Sequence, residues 1–161
     1  MPSPVELLQE ASKYAQTLTE IRRDLHQIPE FGLNLPKTQQ RILDSIHGLG
    51  DIHLGKDLNS IGLVIKGGKP GPTILLRADM DALSVKEETG LAYASTNGFM
   101  HACGHDGHTA ILLGAAHYFS SHRNFAGSII FIFQPAEEGG GGAREMIKDG
   151  LFKQFPCDAV F

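Results

Sequence analysis

Cysteine is scarce in this chain: Cys103 and Cys157 are the two among 161 residues, enough for one disulfide at most. A chain of this length buries enough apolar surface to fold without a covalent staple, so the small disulfide-framework class is excluded. Basic residues are also few, with 14 Lys and Arg against 18 Asp and Glu and a formal net charge of −4. They are scattered, whereas a phosphate backbone is bound by a clustered basic face, so no nucleic-acid partner is expected. No apolar run approaches the roughly 20 residues that cross a bilayer. The opening Met1-Pro2-Ser3-Pro4-Val5-Glu6 has no basic segment leading into an apolar one. No membrane association is expected, and a cytoplasmic protein is the expectation.

What is present suits one ordinary core. Hydrophobic residues make up 42% and charged residues 20% of the chain, a balance expected of one domain or part of a larger one. Leu8, Ala15, Leu18, Ile21, Leu25 and Ile28 recur at helical spacing and predict one helix from about Val5 to Ile28, closed by Pro29. A second helix is predicted over Lys37 to Leu49, opened by Pro36. Ile61 to Ile65 and Thr73 to Leu76 read as two strands joined by the Gly- and Pro-rich turn between them. Ala82 to Met100 is polar and aperiodic and reads as a long loop, which in a compact domain tends to be functional. Thr109 to Phe119 is an apolar helix with Asp106 as its cap. Ser128 to Phe133 is a continuous apolar run, as in a strand covered on both faces. Gly139 to Gly142 lead into a helix over Ala143 to Lys148, and Asp158 to Phe161 looks like the start of a further strand. This alternation predicts an α/β layered fold with a central mixed, partly parallel sheet flanked by helices. Ligands of such sheets gather at the carboxyl ends of the strands, where Asp79 and Asp81, Glu137 and Glu138, and the Cys103/His105 loop are all expected.

Met100-His101-Ala102-Cys103-Gly104-His105-Asp106-Gly107-His108 places a thiol, three imidazoles and a carboxylate in nine residues. Thiolate, imidazole and carboxylate together suit a divalent ion such as zinc, manganese or nickel. The bland reading is a buried cysteine beside a hydrogen-bonded histidine. The adjacent Glu137 and Glu138 allow one carboxylate to ligate while the other acts as general base, because neighbouring side chains point in different directions. Their bland reading is a solvated acidic turn. The four glycines that follow are no phosphate cradle, since no Gly-Lys-Ser/Thr follows and two carboxylates precede them.

Leu76-Arg77-Ala78-Asp79-Met80-Asp81-Ala82-Leu83, Met100 to Ala110 and Phe133-Gln134-Pro135-Ala136-Glu137-Glu138-Gly139 resemble the aminoacylase and carboxypeptidase superfamily of metallohydrolases. Within it the match is to the amidohydrolase branch that contains hippurate hydrolase, N-acyl-amino-acid amidohydrolase and indole-acetyl-amino-acid hydrolase. Arg22 to Gly32 resembles that branch too, so the likeness covers nearly the whole chain. The resemblance implies Cys103, His105 and Glu138 as metal ligands and Glu137 as general base. Asp81 matches the aspartate that orients a ligand histidine in the wider superfamily, and Asp79 stands where that histidine would be. His101 and His108 lie inside the motif as supporting or substrate-side groups.

The implied reaction is metal-dependent hydrolysis of the amide of a small N-acyl amino acid, using Mn2+, Zn2+, Ni2+ or Co2+, with two ions in a full-length enzyme. The resemblance also implies that residues 1–161 are the N-terminal portion of a catalytic domain, without the satellite dimerisation domain and with three of about five ligands. The expectation is therefore a fragment of little activity that can self-associate through an open sheet edge. Two other classes stay open: a thiol hydrolase with Cys103 as nucleophile, and a non-catalytic metal-binding or assembly module.

Overall fold

The computed structural model describes residues 3–161. Helix α1, Pro4–Ser12, is opened by a reciprocal cap in which Ser3 and Glu6 satisfy each other's backbone amides. It presents no buried residue. Helix α2, Ala15–Gln27, is separate from it, so the single helix expected from Val5 to Ile28 is two. The break is a tightened turn in which Lys13 and Tyr14 donate to Glu10 and Ala11, three residues back. Apolar spacing carries on through such a turn, which is why periodicity alone does not show it. Helix α3, Pro36–Ile46, stops three residues before the expected Leu49, because His47 is extended at φ −54° and ψ 125°.

Five strands follow the order β1-β2-β4-β3-β5: β1 Asp51–Leu54, β2 Ile61–Lys66, β3 Lys69–Asp79, β4 Ala126–Gln134 and β5 Ala159–Val160. The sheet is mixed. β4 runs antiparallel to β2 and parallel to β3, and β5 is parallel to β3. The two strands expected to be joined by a turn, β2 and β3, are therefore not partners, since β4 lies between them. The physical reason is burial: Ile129, Ile130, Phe131, Ile132 and Phe133 are all buried, so β4 takes the centre, where both faces are covered.

Alternate residues of that strand feed two cores. Ile129, Phe131 and Phe133 pack with Ile61, Leu63 and Ile65 of β2 against Ile21 and Leu25 of α2, Ile42 and Ile46 of α3, and Leu112, Leu113 and Ala116 of helix α4, His105–Ser121. Ile130 and Ile132 face the other way, against Leu58, Leu75, Met146 and Phe155. Two short helices, α5 Gly142–Lys148 and α6 Leu151–Gln154, lie on that second side. Among the described residues no helix is long and apolar enough to cross a membrane.

Candidate metal centre

In-register parallel pairing brings the ends of β3 and β4 together, with Asp79 beside Gln134. The Met80 amide donates to the Gln134 carbonyl at 2.9 Å, so the segments carrying Asp81 and Glu137 leave the sheet side by side. Helix α4 starts against the same edge, tied down where the Thr109 hydroxyl donates to the Asp79 carbonyl at 2.9 Å. The three segments expected to converge do so. The cap of α4 differs from expectation: Gly104 holds that position at φ 82°, a left-handed conformation that favours glycine, and Asp106 sits in the first turn.

Asp81, fully buried, organises the turn after β4. Its Oδ1 accepts the Glu137 amide and its Oδ2 accepts the Glu138 amide, both at 3.0 Å. Two consecutive amides point the same way because Ala136, the residue before them, is left-handed at φ 55°. That conformation costs an L-residue roughly 1–2 kcal/mol. The Asp81 carbonyl accepts His105 Nδ1–H at 2.9 Å. A carbonyl can only accept, so Nδ1 carries a proton and Nε2 is the ring nitrogen left to face the site. Nε2 lies 3.7 Å from Asp79 Oδ2 and 3.8 Å from both Glu137 Oε2 and Glu138 Oε1, too far for hydrogen bonds. Ligands of one zinc ion sit about 2.0–2.3 Å from it, so two of them are at most roughly 4.5 Å apart. Donor atoms of Cys103, His105 and Glu138 all lie within 4.8 Å of one another. A thiol, an imidazole with its second nitrogen held by a carbonyl, and a carboxylate suit a divalent transition ion in chemistry, and their donor atoms lie near that spacing.

A hydrogen bond to Glu138 pushes the Cys103 thiol up, with burial and the charges of Glu138, Glu137 and Asp79 adding to it. This electronegative surrounding opposes a free thiolate, whereas reactive cysteines sit in electropositive ones.

Asp79, His105 and His108 form a second grouping of potential donors. Asp79 is already committed, accepting His108 Nδ1–H at 2.7 Å and pairing with Arg77 Nη1 at 2.9 Å. Burial alone would raise its carboxyl, but the His108 bond and the charges of His105, Arg77 and His108 hold it below the usual carboxylate range. A guanidinium on the carboxylate repels a cation, so this grouping is an ion-pair cluster that lines the first one. His101 stands apart from both. It is 4% exposed and, among the described residues, has no hydrogen-bond partner on either ring nitrogen.

Sequence reasoning missed a buried polar set behind the site. His26 Nδ1 faces Asp106 Oδ2 at 2.6 Å, its Nε2 faces Glu87 Oε1 at 3.1 Å, and Arg22 Nε lies 2.8 Å from Asp106. Only the motif-like run Arg22 to Gly32 hinted at it, because the partners are far apart along the chain.

The chain spans 38% of the length of N-acetyldiaminopimelate deacetylase from Priestia megaterium, to which it is 45% identical over 145 residues, or 88% of its own length. The deacetylase of the same name from Listeria innocua is 44% identical over 144 residues, again 88% of this chain and 38% of that protein. Among solved structures, Bacillus subtilis YXEP, described as a dinuclear metal binding peptidase from the M20 family, superposes with a TM-score of 0.87 at 38% identity. The match covers 93% of this chain and 43% of that one. An aminobenzoyl-glutamate utilization protein from Klebsiella pneumoniae matches with a TM-score of 0.72 at 28% identity, over 91% of this chain and 43% of the other. The model of peptidase family M20/M25/M40 matches residues 75–161, which include both sheet-edge turns and the Cys103 loop, and the chain belongs to that family.

Proposed function

We propose that this chain contributes to the active site of a metal-dependent amidohydrolase, with Cys103, His105 and Glu138 as ligands and Glu137 as general base. The observation that carries the reading is the His105 ring: its Nδ1–H is given to the Asp81 carbonyl, and its Nε2 is left facing both glutamates at 3.8 Å. When bound, a divalent ion such as Mn2+, Zn2+, Ni2+ or Co2+ supplies Lewis acidity to the scissile carbonyl and to the attacking water.

The protein's own part is to place a base and move a proton. Glu137 is the more open of the two glutamates, its side chain 43% exposed against 24% for Glu138. It takes the proton of the attacking water and returns it to the leaving nitrogen as the amide bond breaks. Asp81 keeps the two glutamates in their separate roles, since each amide is bound to a different oxygen of one carboxylate. With Nδ1–H held by the Asp81 carbonyl, Nε2 is the atom by which His105 would ligate in its neutral form, because an imidazolium has no lone pair to give.

The substrate class is the amide of an N-acyl amino acid. Relatives named for N-acetyldiaminopimelate deacetylation make an N-acetylated diamino acid the first substrate to try, with hippurate as a second. Because the chain spans about two fifths of those relatives, turnover is to be measured on a protein of their full length and ligation on this chain.

Metal content after equilibration with zinc or manganese is the deciding test, comparing the chain with Cys103→Ser. Near-stoichiometric metal lost in the variant is expected. Equal metal in both would remove Cys103 from the ligand set, and no metal in either would overturn ligation by these three residues alone. Alkylation of Cys103 by iodoacetamide separates the thiol-hydrolase reading: protection by metal is expected, and unchanged labelling would favour the nucleophile.

A further inference from the structure

The segment from Ala82 to Asp106 carries Cys103 and His105, yet from Ala82 to Gly104 it has no helix and no regular strand beyond an isolated bridge between Leu83 and Met100. Something other than local structure must keep its donors in place. Near its start, Glu87 is a hub: its carboxylate accepts the Thr89 hydroxyl at 2.5 Å and the Ser95 amide at 2.6 Å, and its side chain is fully buried. At its end, Asp106 directly follows His105. The Asp106 carboxylate, also fully buried, accepts the Gly107 amide at 2.9 Å and pairs with Arg22 at 2.8 Å. One side chain touches both hubs. His26 of α2 turns Nδ1 to Asp106 and Nε2 to Glu87, and Tyr93 of the same segment packs edge-on to its ring at 5.6 Å.

We propose that His26 is a positioning residue for this segment. It acts through Asp106 to hold the first turn of α4, and with it His105, and through Glu87 to hold the long loop. The inference rests on the ligand reading above for its effect on metal affinity, and on the hydrogen bonds alone for its effect on loop order. Without the imidazole, two buried carboxylates would face an unfilled gap, and each would seek water at the expense of the present geometry.

The two ring nitrogens can be separated by substitution. An asparagine amide reaches about as far as Nδ1 and keeps a donor for Asp106, whereas a glutamine amide reaches about as far as Nε2 and keeps one for Glu87. Cobalt affinity is read from the thiolate-to-cobalt absorption, and local order from amide hydrogen exchange without metal. Outer partners of ligand side chains typically contribute 10–100-fold to affinity, so His26→Gln is expected to weaken cobalt at least ~10-fold and His26→Asn only ~2-fold. In the metal-free chain, His26→Gln is expected to speed exchange at His105 to Thr109, and His26→Asn at Glu87 to Ser95.

Leu25→Ala, which opens the core next door, serves as the control. It is expected to lower Tm while leaving affinity and the exchange pattern as in the parent. The proposal is overturned if both His26 variants change affinity and exchange alike, in step with their Tm. If the parent shows no cobalt band, the ligand reading fails by itself, and the exchange asymmetry between Asn and Gln still decides the role of His26.

Discussion

Glu137 and Glu138 are neighbours in sequence, with the same side chain and with amides bound to the same carboxylate, yet their surroundings differ. Glu138 lies beside the Cys103 thiol and is the less exposed. The division of labour can be tested at single atoms. Glu137→Gln in the full-length protein is expected to retain its metal and to lose about 10²–10⁴-fold in kcat, the usual contribution of a positioned base. Turnover retained at normal metal content would remove Glu137 from that role. Asp81→Asn changes almost no volume but turns one acceptor into a donor that faces an amide N–H. An expected loss of about 1–3 kcal/mol in urea unfolding follows from the buried donor left unpaired. A variant as stable as the parent would show that the turn after β4 does not depend on both oxygens.

Elements show where local pattern and tertiary demand part company. The five consecutive apolar residues of β4 were legible as a doubly covered strand because both of its faces feed a core, Ile129, Phe131 and Phe133 on one side and Ile130 and Ile132 on the other. Its neighbours were not legible, because insertion of β4 between β2 and β3 depends on pairings such as Ile61 with Phe133 and Asp79 with Gln134. The short connection between β2 and β3 reads locally as a hairpin turn whichever strand lies between. The start of α5 is decided by contact too. A Cβ on Gly142 would sit 1.7 Å from the Pro135 carbonyl oxygen, while the Gly142 amide donates to Ala136 at 2.9 Å. Gly142→Ala is therefore expected to cost at least ~3 kcal/mol, in the range of severe backbone substitutions. It should also lower metal affinity, because the turn that moves is the one holding Glu138. Calorimetric Tm and metal titration of the same sample check both.

At the scale of the whole molecule, acid is expected to act on the segment that carries Cys103 before it acts on the sheet. Burial lowers His101 to about 4 from its ordinary 6.5, with the Asp106 charge opposing and those of His26, His105 and Arg22 assisting. The unfolded chain takes that proton first, so stability present above pH 6.5 is lost as pH falls toward 4. Burial would raise Glu87, but bonds from Thr89, Ser95 and His26 bring it down to about 2 from 4.5. Its contribution is present above pH 4.5 and is lost as pH falls toward 2. Urea unfolding at pH 7 and pH 5 is expected to show a smaller drop for His101→Phe than for the parent. Equal slopes would mean that His101 does not titrate in this window.

The short motifs by themselves brought forward the candidate donors. Cys103, His105, Glu137 and Glu138 stand in short motifs, each next to an element whose apolar pattern places it at a strand end or helix start. Only the tertiary structure decided who orients them. Asp81 binds amides 56 and 57 residues away, and His26 reaches Asp106 across 80 residues. Such partners leave no periodic trace, because they are chosen by the crossing of α2 over the start of α4 and by the in-register ends of β3 and β4. The chain thus spells out its candidate ligands in runs of a few residues. The hydrogen bonds that give those side chains a direction and a fixed separation exist only once distant segments are packed together.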